Sequence, residues 1–127
     1  MAKNNRIFIS FAAEDADYRT MLVGQARNGR SPFDFIDMSV KQPWDEKWKT
    51  NCRTKIKGCD GLIALISWRT MHADGARWEI GCANDERVPV LGVQINSNAP
   101  AAVPPELYGK PVIAWTWDGI ATFINGL

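Results

Sequence analysis

Leu62-Ile63-Ala64-Leu65-Ile66 is apolar at every position. A strand with one wet face alternates apolar and polar residues, so unbroken apolarity marks a strand covered on both faces, as in parallel sheets sheathed by helices. Reading outward, Ile7-Phe8-Ile9-Ser10-Phe11 and Val88-Pro89-Val90-Leu91-Gly92-Val93 are nearly as apolar. Phe33-Asp34-Phe35-Ile36-Asp37 and Val112-Ile113-Ala114-Trp115 complete five strands, all rich in β-branched and aromatic residues.

Helical patterns separate them. Tyr18, Met21, Leu22, Gln25 and Ala26 form an i, i+3, i+4, i+7, i+8 stripe that follows the acidic pair Glu14-Asp15 and ends at Asn28-Gly29. Trp44, Trp48, Cys52 and Ile56 make an i+4 stripe on a second helix, with Asp45 and Glu46 in its first turn, Arg53, Lys55 and Lys57 near its end, and Gly58 as its stop. A third helix is expected from Ala76 to Glu86, and a fourth from the N-cap Asp118 through Ile120, Phe123, Ile124 and Leu127. Residues 94–111 hold four of the seven prolines and no period, which predicts a surface connection with one helical turn at Pro105 to Tyr108.

Strand and helix in strict alternation predict an α/β three-layer sandwich of flavodoxin-like type, with a five-stranded parallel sheet of order 2-1-3-4-5. Ligands of such sheets bind beyond the carboxyl ends of the strands, at the switch between strands 1 and 3. The site is therefore expected to draw on Ser10, Phe11 and Ala12, on Ser67-Trp68-Arg69, and on the loop after strand 2.

Composition narrows the function. With 127 residues there is room for one domain, expected to span 1–127. Fifteen Lys and Arg against 14 Asp and Glu leave a net charge of +1, which gives no basic field for nucleic acid. Three cysteines, Cys52, Cys59 and Cys82, form no C-x-x-C pair and read as buried small apolar residues, so no disulfide framework or zinc ribbon is expected. His72 is the sole histidine, which argues against a metal site, and no metal or bound cofactor is expected. No apolar run approaches the roughly 18 residues of a membrane span, and residues 1–6 lead into an apolar stretch too short for a signal-peptide core; a cytoplasmic protein with no membrane partner is expected.

The strand ends exclude several sites common on this architecture. Phe11-Ala12-Ala13-Glu14-Asp15 contains neither G-x-G-x-x-G nor a P-loop, so no glycine cradle holds a phosphate there. Ile66-Ser67-Trp68 and Trp115-Thr116 lack the aspartate and lysine of a phosphoacceptor. No G-x-S-x-G elbow is present. One carboxylate remains unusual. On the third helix Glu79 lies only about 40° from Ala83 and so borders the buried face. It is either a rim residue paired with Arg77 or Arg87, or a functional carboxylate opening into the crevice.

Four ordered blocks carry a resemblance. Arg6-Ile7-Phe8-Ile9-Ser10-Phe11 with Asp15, Phe35-Ile36-Asp37-Met38-Ser39-Val40, Leu65-Ile66-Ser67, and Arg77-Trp78-Glu79-Ile80 followed by Val88 to Val93 together resemble the prokaryotic TIR-like family that includes the TIR-like subunit of the Thoeris antiphage system. The likeness covers about the first 95 residues; the proline-rich C-terminal third departs from it. In TIR enzymes a single glutamate on the helix after the third core strand, in a Trp-Glu-Ile setting, is catalytic, and Glu79 stands in that place. The resemblance implies cleavage of the nicotinamide–ribose bond of NAD+ as substrate, formation of a cyclic ADP-ribose-type signal, self-association through TIR–TIR contacts, and a separate effector that senses the product.

One carboxylate suits that chemistry, because nicotinamide leaves as a neutral molecule and needs no proton, unlike the leaving group of an ordinary glycosidase. Phe11 and Trp44 are the expected aromatic wall, Asp37 and Ser39 are placed to bind ribose or amide groups, Ser67 lines the floor, and His72 and Trp78 stand beside the glutamate. Of the six tryptophans, Trp48, Trp115 and Trp117 read as core, whereas Trp44, Trp68 and Trp78 are expected at the mouth of the crevice. Two readings from other classes remain open, a non-catalytic TIR-type interaction module and a nucleotide-sugar binder without catalysis.

Overall fold

In the computed structural model of the chain, which describes residues 5–28, 33–38 and 41–127, the strands are β1 (Asn5–Ser10), β2 (Phe33–Ile36), β3 (Gly61–Ile66), β4 (Val90–Gln94) and β5 (Val112–Ala114). They form one parallel sheet in the order β2-β1-β3-β4-β5, the order expected from the alternation of elements. Helices α1 (Ala16–Asn28), α2 (Glu46–Lys57), α3 (Asp74–Asp85) and α4 (Trp117–Asn125) connect or follow the strands.

The unbroken apolarity of β3 has the anticipated cause. Leu62, Ala64 and Ile66 point into a core with Phe8, with Trp48, Cys52 and Ile56 of α2, and with Ile80 and Ala83 of α3. Ile63 and Leu65 point the other way, into a core with Ile7, Ile9, Leu22 of α1, and Ile120 and Ile124 of α4. Two apolar layers thus share one sheet, and every β3 side chain is buried. All three cysteines are buried and free.

Several details of the elements differ from the sequence reading; α3, for one, starts at Asp74 and ends at Asp85. Trp44 does not lie on α2. Asp45 is extended (φ −100°, ψ 120°) and its carboxylate accepts from the Lys47 N–H at 2.8 Å, so it is the N-cap and Trp44 stays in the loop before it, 76% exposed. Asp118 is likewise not the cap of α4. Thr116 is extended and its Oγ1 accepts from the Gly119 N–H at 3.2 Å, which puts Asp118 inside the first turn. On α1, Leu22 and Ala26 are buried while Met21 is exposed, because the face that meets the sheet is narrower than the apolar stripe.

The C-terminal connection is tied down by side chains. Gln94, at the end of β4, both donates to the Ala101 carbonyl and accepts from the Ala101 N–H at 2.9 Å. The turn expected at Pro105 to Tyr108 is a 3₁₀ turn over Pro105–Leu107, with Leu107 in the core. No helix among the described residues is long and apolar enough to cross a membrane.

Candidate functional site

Ser10 ends β1 beside Ala64 of β3, which puts its hydroxyl at the carboxyl edge of the sheet, where α3 crosses. There Ser10 Oγ lies 2.8 Å from Glu79 Oε1 and 3.1 Å from the Ala76 carbonyl one turn earlier on α3. Glu79 is not at the rim but completely buried. Its partner is neither Arg77 nor Arg87. Arg77 makes a two-pronged pair with Glu106 through Nε and Nη2, and the carboxylate of Glu79 is met instead by Lys41, whose Nζ lies 3.0 Å from Oε1 and 2.8 Å from Oε2.

The rest of the Glu79 environment is apolar or weakly polar. Cys52 Sγ of α2 is 4.0 Å from Oε2, and the Lys41 ammonium stands 4.4 Å from the centre of the Phe11 ring. Burial pushes the Glu79 carboxyl up to about 7; Lys41 and the Ser10 hydroxyl oppose the rise, and the nearby charge of Asp37 adds to it. Burial also raises the Cys52 thiol, so it stays neutral through the range in which Glu79 titrates. The glutamate is therefore poised near neutrality, as groups at reactive sites often are.

Lys41 also belongs to a cleft of about 470 Å³, a size suited to a small-molecule ligand. Glu79 is not among its walls; Ala76, one turn earlier on α3, is. Lys41 thus touches both the cleft and the carboxylate. The lysine side chain packs against Gly75, where an added Cβ would come within 2.7 Å of Lys41 Cβ, so only glycine admits the lysine in this position. Trp44 and Trp68, 76% and 71% exposed, are the aromatic walls of the cleft, and His72 lines it as well.

Behind the cleft a second polar cluster fixes the loop after β3. Asp15 is fully buried; one oxygen accepts from the Ser67 hydroxyl and the other from Arg69 Nη1 at 2.8 Å. The Ser67 N–H donates to Thr70 Oγ1 at 2.9 Å, and the Arg69 N–H donates to Ser67 Oγ at 3.1 Å.

Of the residues singled out from the sequence, Glu79, Ser10 and Phe11 come together around the Lys41 ammonium, and Trp44 and His72 share the cleft, but Phe11 is buried in the core and is not the cleft wall it was expected to be. Ala12 is buried, with its carbonyl accepting from the Asp15 N–H. Asp37 lies 3.5 Å from Arg19, at the end of β2. Ser67 serves the Asp15 cluster and is not part of the cleft wall. Ser39 lies outside the described residues. Trp78 is not at the mouth: its ring packs edge-on against Trp48 at 5.3 Å beneath the Arg53 guanidinium, in a separate groove between α2 and α3. Adjacent helix positions face about 100° apart, so Glu79 and Trp78 cannot both point into one crevice.

Sequence reasoning missed Lys41. It is a cation in the loop after β2, the very loop that the switch-point rule selects. Nothing in the spacing of Asp15 and Arg69 announces that they pair across 54 residues.

The model of the family described as "Thoeris protein ThsB, TIR-like domain" matches residues 8–100, and β5 and α4 lie beyond the matched segment. Among solved structures, the crystal structure of a prokaryotic SEFIR domain is similar, with a TM-score of 0.56 and 12% identity over 97% of this chain and 89% of that one. At that identity the likeness is one of fold. No curated protein matches the chain.

Proposed function

The chain belongs to the Thoeris protein ThsB, TIR-like domain family, and on that premise we propose that it is an NAD+-cleaving enzyme that releases nicotinamide and makes a cyclic ADP-ribose-type signal in Thoeris-type antiphage defence. The observation that carries the reading is Glu79, a fully buried carboxylate bonded by Ser10 and Lys41, titrating near neutrality behind an aromatic-walled cleft.

The chemistry asks little of the protein beyond electrostatics and exclusion of water. As the bond to the cationic nicotinamide ring breaks, positive charge moves onto the ribose carbon. An ionised carboxylate in a low-dielectric site stabilises that charge far better than it would in water. On this reading the cationic sugar takes the place next to Glu79 that the Lys41 ammonium now holds. Turnover therefore requires Lys41 to release both oxygens. Trp44 and Trp68 then shield the sugar, and whether water or an internal nucleophile attacks decides between a linear and a cyclic product.

Chromatography with mass analysis of NAD+ incubated with the chain tests the reading. Nicotinamide release is expected, and Glu79→Gln lowers it by about 10²- to 10³-fold, the typical cost of removing a preorganised charge-stabilising group. TIR–TIR self-association, a cytoplasmic location and a separate effector that senses the product belong to the same proposal.

The Lys41 ion pair also favours a second reading, a TIR-type interaction module in which Glu79 is a satisfied structural charge. Self-association without nicotinamide release in any assembled state would support it.

A further inference from the structure

We propose that Arg69 anchors the pyrophosphate of the substrate and so distinguishes a nucleotide carrying phosphates from a bare nucleoside; the inference rests on the NAD+-cleaving reading. Two fixed cations line the cleft among the described residues, Lys41 and Arg69. Lys41 is committed to both oxygens of Glu79. Arg69 is held differently. Its Nη1 donates to buried Asp15 at 2.8 Å, and its guanidinium lies 4.7 Å from the centre of the Trp68 ring.

This leaves the guanidinium gripped by Asp15 through one nitrogen, on a side chain that lines the cleft and is 36% exposed. A planar guanidinium has donors on more than one edge, so one can satisfy Asp15 while another meets a second anion in bidentate fashion. The Ser67 and Thr70 hydrogen bonds set the loop backbone, and the bond to buried Asp15 orients the guanidinium beside the Trp68 ring before any ligand arrives. If Arg69 served only to neutralise Asp15, a shorter or fully buried cation would suffice. Glu14 and Asp74 also line the cleft, so attraction of phosphate there depends on this placed fork and not on a general positive field.

Titration calorimetry with ADP and with adenosine tests the inference without requiring turnover. The wild-type chain is expected to bind ADP more tightly than adenosine, and Arg69→Gln is expected to weaken ADP by about 10-fold or more while adenosine stays within about 2-fold. Arg69→Lys keeps a charge beside Asp15, so its melting temperature stays near wild type, yet it too loses several-fold in ADP affinity because the fork is gone. Equal losses for ADP and adenosine, unchanged ADP affinity in both variants, or a wild type with no preference for ADP would each overturn the role. A chain that binds ADP through Arg69 but releases no nicotinamide contradicts only the catalytic reading.

Discussion

Lys41 and Glu79 form a buried pair whose two members have opposite uses. The ammonium favours the ionised carboxylate, and under the proposed function it stands where the cationic sugar would have to go. The sign of the pH dependence follows. Burial raises the Glu79 carboxyl to about 7, and Lys41 pulls against that rise. Activity that needs ionised Glu79 climbs as the pH passes through about 7, and kcat/KM reports that ionisation in the free protein. Lys41→Met removes the opposing charge, so the rising limb of the kcat/KM profile is expected to move to higher pH. Ser10, Cys52 and Asp37 still face the carboxylate. A profile that falls in height without moving would make Lys41 a packing residue only. The position of Glu79 on the buried side of α3 was legible from helical spacing, since it lies beside Ala83. Its partner was not, because the pair spans 38 residues and meets only when the loop after β2 folds over Gly75.

Helices and strands were legible to the extent that local chemistry sets them. The unbroken apolarity of β3 announced its double coverage, and the acidic start and basic end of α2 suit its dipole. Caps were harder. Trp44-Asp45-Glu46 and Thr116-Trp117-Asp118 each offer more than one plausible start, and the choice depends on which residue is held extended by the preceding chain. The structure makes Thr116 the cap of α4. Thr116→Ala is therefore expected to cost about 1 kcal/mol of stability in a denaturant titration, and Asp118→Ala only a few tenths from the loss of a charge near the helix N-terminus. The reverse order of effects would restore Asp118 as the cap. Trp78 teaches a related lesson. Proximity in sequence to Glu79 placed it at the crevice, whereas helical geometry turns it toward Trp48 and α2.

At the scale of the whole molecule, the sheet order places Ser10 beside β3 and brings the loops after β1, β2 and β3 to one edge, where α3 delivers Glu79. An apolar core covers each face of the sheet below that edge. The six tryptophans divide accordingly: Trp44 and Trp68 stand exposed in the cleft, Trp48 and Trp78 pack α2 against α3, Trp115 lies against Tyr18 and Gln25 of α1, and Trp117 of α4 packs against the same core. The site holds one carboxylate out of water beside its lysine, and the proposed function has a ligand displace that lysine. Nicotinamide release from NAD+ by the wild type and by Glu79→Gln, measured side by side on folded protein in its assembled state, tests this most directly. Release by the wild type and a loss of about 10²-fold or more in the variant is the expected result; equal release from both, or none from either, would contradict it.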